Sequence, residues 1–286
     1  MKKVTNKIIR VNAVYLFDQC RKLGISCSDD LTYGYVQDES CEDICVGDLA
    51  KFDGRLKEDN KYQIEKIEKI NNPNLDDYLS VHQIPDAIKA EYKDFKKILK
   101  SISDNDLIGL MKNFVNNRKL FVRFLEYPCS IKSHDARRHG LFLHTYRIVS
   151  HIEKMDLEKN LKNFCIVGAV FHDIGKVFTL QNYIEKSRII VYASIVGHKQ
   201  NSVDIFDSLA ERVKNLSDKK RQIIRNIILN THNMDYDVPK TLPGKIVSEL
   251  DKLDAGISDI KDKDKQHSAG NYYRTGYDKK VYFKAM

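Results

Sequence analysis

The apolar pattern changes character near residue 72. Before that point short alternating runs dominate, such as "KIIRVNAVYLF" at 7–17 and "LTYGYVQD" at 31–38. They are rich in β-branched and aromatic residues, which suit a pleated, half-buried surface. The stretch "GDLAKFDGRLKEDNKYQIEKIEKI" reads as a strand, a polar turn at Glu58-Asp59-Asn60 and a second strand. Ile64, Ile67 and Ile70 also recur at helical spacing, so this last segment fits either element. A small barrel or sheet over residues 1–75 is the expected product.

The next stretch, "NNPNLDDYLSVHQIPDA", is broken by Asn72-Pro73 and Ile84-Pro85 and holds little continuous apolar sequence. Such punctuation marks a linker, placed at 76–90. Beyond it, over 91–286, apolar residues recur at helical spacing. "AIKAEYKDFKKILKSI" opens the series, and Ser133-His134-Asp135 marks the start of a helix running through His151. Further helices are expected at about 158–173, 189–213, 217–232 and 243–257. The fold class is α+β, with a small β-rich domain ahead of an all-helical one. The tail "NYYRTGYDKKVYF" mixes aromatic and basic residues, which suits either a contact segment or a piece packed back on the domain.

With 286 residues, 42% of them hydrophobic, the chain has ample material for a buried core. No stretch approaches 18 uninterrupted apolar residues, and the basic start is interrupted by Arg10 and Asn12. Neither a signal peptide nor a membrane span is expected. Six cysteines in a chain of this length do not make a disulfide scaffold, so isolated thiols in a reducing cytoplasm are expected. Charge is uneven. Residues 1–80 carry 12 Lys or Arg against 15 Asp or Glu, a net of −3, which leaves +11 for the remainder of the +8 chain. The later region is therefore the better match to a polyanion.

That region also holds seven of the nine histidines, between residues 134 and 232. His144 lies in one predicted helix, His172-Asp173 ends the next, His198 and His232 sit in the two after, and Asp251 follows in another. A full element separates each from the next, so packed helices can bring them together, as in metal sites of helical bundles. His172-Asp173 follows the apolar run "CIVGAVF", where an unpaired carboxylate is costly and coordination to a metal satisfies it.

"FHDIGK" at 171–176 resembles the signature of the HD-domain metal-dependent phosphohydrolases, helical proteins whose ligands come in the order His, His-Asp, Asp. The resemblance implies His144, His172, Asp173 and Asp251 as ligands. "SHDARRHGLFLHT", "GAVFHDIGK", "VGH", "ILNTH" and "LDKLDA" together are similar to the YhaM-type 3′-to-5′ exoribonucleases, which join an OB-type nucleic-acid-binding domain to an HD domain. By that likeness His198 and His232 serve a second metal, with Asp173 bridging. Two manganese ions are implied, with iron, nickel, cobalt and magnesium as alternatives. Asp173 and Lys176 are the expected catalytic groups; His134, Arg138 and Lys176 are expected on the substrate, and Asp254 behind a ligand imidazole. Tyr33, Tyr35, Phe52 and Tyr62 are candidates for stacking on bases, with core packing as the alternative.

The implied partner is single-stranded RNA or DNA, with self-association left open. The family usually has paired histidines at His134-Asp135 and at Thr231-His232, and the first 45 residues match an OB start poorly. Two other functions stay in view: a nucleotide or cyclic-nucleotide phosphohydrolase, and an inactive nucleic-acid-binding or assembly module.

Overall fold

A computed structural model describes residues 1–17, 20–27, 30–37, 41, 43–131, 135–181, 188–189, 195–231, 239–275 and 279–284. The chain divides into two compact units, Met1–Lys89 and Ala90–Met286.

The first unit is a closed five-stranded barrel of β1 (Lys2–Phe17), β2 (Cys20–Cys27), β3 (Asp30–Gln37), β4 (Leu49–Leu56) and β5 (Tyr62–Lys69). Their order around the barrel is β1-β2-β3-β5-β4, with the β3–β5 pairing parallel, an OB-like arrangement. One long strand closes it. The first part of β1 pairs with β4, from Lys2↔Leu56 to Arg10↔Leu49, and the second part pairs with β2, from Arg10↔Ser26 to Phe17↔Cys20. Irregularities at Val4/Lys7 and Val11/Ala13 let β1 bend between its two partners. At the first, Asn6 takes a left-handed φ of 50° and its N–H donates to Asp53 Oδ1 at 2.7 Å. Ile9, Val11, Leu23, Ile25, Val36, Phe52 and Ile64 point inward and fill the barrel.

The ambiguous isoleucine spacing has a physical origin in β5. Asp53 pairs with Lys66 and Gly54 with Ile64, so Glu65 is an extra residue in the ladder. That bulge turns both Ile64 and Ile67 inward although they are three residues apart, a spacing that mimics a helix. Gly54 is needed opposite it, because a Cβ there would lie 2.2 Å from the Gln63 carbonyl oxygen. Phe52 and Tyr62, candidates for base stacking, are instead core residues in edge-to-face contact at 5.1 Å.

Within the expected linker the chain forms α1 (Leu75–Ser80). Asn74 and Asp77 make a reciprocal capping box, and Leu75 and Leu79 are buried, which offsets the Asn-Pro break just before it.

The second unit comprises α2 (Lys89–Ser101), α3 (Asn105–Asn116), α4 (Arg118–Glu126), α5 (Gly140–Lys154), α6 (Lys159–Phe171), α7 (Lys176–Thr179), α8 (His198–Ala210), α9 (Asp218–Asn230) and α10 (Leu242–Gln266). Two small ribbons join them: β6 (Leu180–Gln181) with β7 (Arg188–Ile189), and β8 (Tyr272–Arg274) with β9 (Val281–Phe283). The expected helix start at residue 189 is corrected: Arg188 and Ile189 pair with Leu180 and Gln181 as a short ribbon, and α8 itself spans His198–Ala210. α5 starts at Gly140, later than the expected Ser133-His134-Asp135, because His139 just before it is left-handed at φ 67°. No helix among the described residues is long and apolar enough to cross a membrane. Phenylalanines dominate the centre, with Phe114 in edge-to-face contact with Phe121, Phe124 and Phe171 at 5.3–5.5 Å.

Replacing Gly54 by Val should force β4 and β5 apart and destabilise the barrel by about 1–3 kcal/mol. Thermal unfolding of the full chain checks this, and an unchanged midpoint would contradict the close approach.

Candidate metal centre

Four elements deliver the ligand candidates. α6 is capped at its start by Glu158, whose carboxylate accepts from the Asn160 and Leu161 amides, and is buried continuously from Cys165 to Phe171. Its end runs into a tight turn, with Lys176 N–H donating to Asp173 O at 3.0 Å, so His172 and Asp173 emerge from the core. The turn is clipped to α8 by Ser202, whose hydroxyl accepts from Gly175 N at 2.8 Å and donates to His172 O at 3.2 Å. Gly175 has no room for a side chain: a Cβ would stand 2.1 Å from His198 O and 2.5 Å from Ser202 N. That close contact is what sets the first residue of α8, His198, beside the turn.

α5 and α10 face each other with matching three-residue spacings, His144 with Arg147 and Asp251 with Asp254. His144, His172, Asp173 and Asp251 are all buried, and each offers a donor atom within 4.8 Å of the others. His144 Nε2 lies 3.3 Å from His172 Nε2, 3.0 Å from Asp251 Oδ1 and 3.7 Å from Asp173 Oδ2. His172 Nε2 lies 3.3 Å from Asp173 Oδ2.

The outer nitrogens of the two rings fix their tautomers. His172 Nδ1 is 2.7 Å from the Ala169 carbonyl, which can only accept, so that nitrogen carries the proton. His144 Nδ1 is 2.7 Å from Asp254 Oδ2, which is in turn held by Arg147, with Nε on Asp254 Oδ1 at 2.6 Å and Nη2 on Oδ2 at 2.7 Å. Arg147 also bonds the buried Asp135. Both rings thereby turn Nε2 toward the two carboxylates; on loss of the Nε2 protons these nitrogens and carboxylates are the donor set that a divalent cation of borderline character accepts.

The electrostatics point the same way. Burial alone would lower the His172 pKa, but Asp173 and Asp251 override it and push it up to about 10. Burial opposes charge on His144 as well, and Asp251 and Asp254 raise its pKa in spite of that. Buried carboxylates thus hold protons on imidazoles that would otherwise be neutral, and a cation satisfies the same demand. Lys176, whose Nζ sits 2.5 Å from Asp173 Oδ2, answers part of it, and that carboxylate keeps it charged although it is partly buried.

The structure places the remaining candidates unevenly. His198 Nε2 is 3.7 Å from Asp173 Oδ1, so the two oxygens of Asp173 face opposite groups. Asp254 bonds a ring from behind, whereas Asp251 lies in the cluster. Arg138 stands apart, exposed and paired with Glu126 at 2.8 Å. His134 and His232 lie outside the described residues.

Three neighbours were missed from sequence. Arg147 was detectable in principle, since His144–Arg147 repeats the spacing of Asp251–Asp254. Cys129, with Sγ 3.4 Å from Lys176 Nζ and 3.7 Å from Asp173 Oδ2, and Asp135 carried no comparable signal. All six cysteines are free thiols.

Residues 141–256 match the model of the HD domain family. The match spans all four clustered ligand candidates and Asp254, and it points to metal-dependent phosphohydrolase chemistry. No solved structure matches the chain.

His172→Ala and Asp173→Ala should each abolish stoichiometric binding of a divalent metal while the helical circular dichroism is retained; calorimetric titration with manganese reads the loss. Asp254→Asn should keep the site but weaken it about 10–100-fold, because only the orientation of His144 is disturbed. Burial alone would raise the Asp254 pKa from 3.8, but Arg147 and His144 outweigh it and hold it at about 2. A lowered carboxyl pKa stabilises the fold fully above 3.8 and loses that contribution as pH falls toward 2. The gap in melting temperature between the natural chain and Asp254→Asn should therefore be wide at pH 6 and close progressively below pH 4.

Proposed function

We propose that this protein is a metal-dependent phosphodiesterase that removes nucleotides from the 3′ end of single-stranded RNA and accepts single-stranded DNA as well. The observation that carries the reading is the buried His144, His172, Asp173 and Asp251 cluster in the same chain as an OB-like barrel. The 3′-to-5′ direction rests on the resemblance to the YhaM-type enzymes.

Bound in the cluster, divalent cations supply Lewis acidity toward a phosphodiester and make water a better nucleophile at neutral pH. His144, His172, Asp173 and Asp251 hold the first. Asp173, whose Oδ1 faces His198, would serve a second together with His198 and, by the resemblance, His232, and manganese suits such an imidazole and carboxylate set. Lys176, with Nζ 2.5 Å from Asp173 Oδ2, is the cation that would donate to a phosphoryl oxygen. Ser202 and Gly175 keep the turn in place, so the ligands need little reorganisation when substrate arrives.

The barrel offers surface chemistry that fits a polynucleotide. Tyr15, Lys22 and Tyr33 stand together on the outer face of β1, β2 and β3, with Tyr15 and Lys22 paired across strands. Lys22 Nζ lies 3.9 Å from the centroid of the Tyr33 ring, and the Tyr15 and Tyr33 rings are 6.5 Å apart. Bases stack on such rings whatever the sequence.

The test is metal content and turnover on one cytoplasm-free, purified preparation. Elemental analysis should find about two divalent ions per chain, as a binuclear phosphodiesterase requires. A 5′-labelled single-stranded RNA with added manganese should yield a descending ladder. RNA left intact while a mononucleotide or cyclic nucleotide is hydrolysed would replace the exonuclease reading with a nucleotide phosphohydrolase. Loss of all turnover with binding retained would leave a binding or assembly module.

A further inference from the structure

We propose that the C-terminal ribbon β8–β9 is a second contact for the single-stranded polynucleotide, on the same unit as the metal centre and remote from it. The inference rests on the polynucleotide reading above.

The ribbon is two-faced. Its register pairs Tyr272 with Phe283, Tyr273 with Tyr282 and Arg274 with Val281. Side chains alternate across a strand, so Tyr273 and Tyr282 share one face and Tyr272, Phe283 and Val281 the other. The inner face is tied down. Tyr273 is buried, its hydroxyl donates to Asp264 Oδ1 at 2.6 Å, and its ring stacks on His267 at 5.0 Å and 26°. Lys284 Nζ adds bonds to the carbonyls of Asp264 and His267 at 2.5 and 2.8 Å. An isolated two-stranded ribbon is marginal in water, and these bonds fasten this one to the end of α10.

The outer face carries the opposite chemistry. Tyr272 is 72% exposed, Val281 58% and Phe283 52%. The Tyr272 and Phe283 rings are 5.0 Å apart at 48°, forming an apolar step in solvent. Arg274, Lys279 and Lys280 are exposed around it, and residues 270–286 carry four cations against one carboxylate. Aromatic faces beside cations match a strand whose bases stack and whose phosphates are anionic. An apolar protein groove would gain from the rings but would bury the cations at a cost.

Placement gives the contact a use. The ribbon is anchored at Asp264 and His267, on the helix that carries Asp251. At 1.5 Å per residue, Asp264 lies ~20 Å along the axis from Asp251. At 3.4 Å per stacked nucleotide that corresponds to about six nucleotides. A trinucleotide in the metal centre falls short of the ribbon, whereas a twelve-nucleotide strand can reach it.

The experiment uses the full chain and two double variants, Tyr272→Ser with Phe283→Ser and Lys279→Glu with Lys280→Glu. Fluorescence anisotropy with labelled, nuclease-resistant 12-mer and 3-mer oligouridylate analogues, with manganese present, reads binding without cleavage. Hydrolysis of bis(p-nitrophenyl) phosphate with manganese reports on the metal centre and the fold. Each variant should bind the 12-mer about tenfold or more weakly, the loss expected for a missing stacking or charge contact. Binding of the 3-mer and hydrolysis of the small diester should be unchanged.

Equal 12-mer affinity in all three proteins would overturn the ribbon contact while leaving the exonuclease reading intact. Unchanged RNA affinity with a changed mass by light scattering would assign the face to a second copy. Lost binding to anionic vesicles with RNA affinity unchanged would assign it to a membrane surface. RNA that is bound through the ribbon but never shortened would uphold the contact and sink the exonuclease.

Discussion

Two carboxylates in the interior, Asp173 and Asp251, set the terms for the whole helical unit. An anion removed from water is costly unless a partner of opposite charge stands beside it. The chain commits its strongest cation elsewhere: Arg147 makes its bidentate pair with Asp254 and a further bond to Asp135. Facing Asp173 and Asp251 are three imidazoles, His144, His172 and His198, and one ammonium, groups that can change protonation state or swing away. The cluster is therefore stable without metal only by gathering protons, and a divalent cation relieves that condition. A cation bound there would add its binding free energy to the stability of an already folded unit.

The surrounding core makes the constraint sharp. Phe142 lies one α5 position pair before His144, and Phe171 immediately precedes His172. Both rings are fully buried, Phe142 against Phe95 at 5.4 Å and Phe171 against Phe114 and Phe206 at 5.5 and 5.7 Å. Each ligand-bearing helix is thus fixed by an aromatic residue next to its ligand. The same rings keep the medium apolar, which strengthens every charge interaction inside it. Precision at the cluster comes from packing, and its affinity for cations comes from what that packing excludes.

Much of this was legible because ligands and anchors are neighbours in sequence. The apolar run ending in His172-Asp173, the clustering of His144 and Asp251 with that pair, and the change from alternating to helical pattern near residue 72 all survive in the structure as local facts. Contacts between segments were not legible. The strand at Tyr62–Lys69 looked equally helical because a bulge at Glu65 is visible only through its pairing with β4. The closure of the barrel by β1 was equally hidden, because it depends on bends that let a single strand serve two partners. Cys129 and Asp135 reach the centre through a segment whose course no periodicity encodes, and α10 runs on to Gln266, past the expected end at 257, on polar residues apart from Ile260.

Under the proposed polynucleotide reading, the two units would divide the physics of holding a strand. Residues 1–80 carry a net charge of −3 while the rest carries +11, so long-range attraction of a polyanion belongs to the helical unit. On the barrel the cation at hand, Lys22, is drawn down over the Tyr33 ring, and what remains for a ligand is largely stacking. Charge-driven contacts weaken with salt through counterion release, whereas stacking contacts weaken little. A strand held by both would be captured through charge and retained through its bases. It could then shift by a nucleotide without losing every contact at once, the mechanical requirement of an enzyme that shortens one end repeatedly.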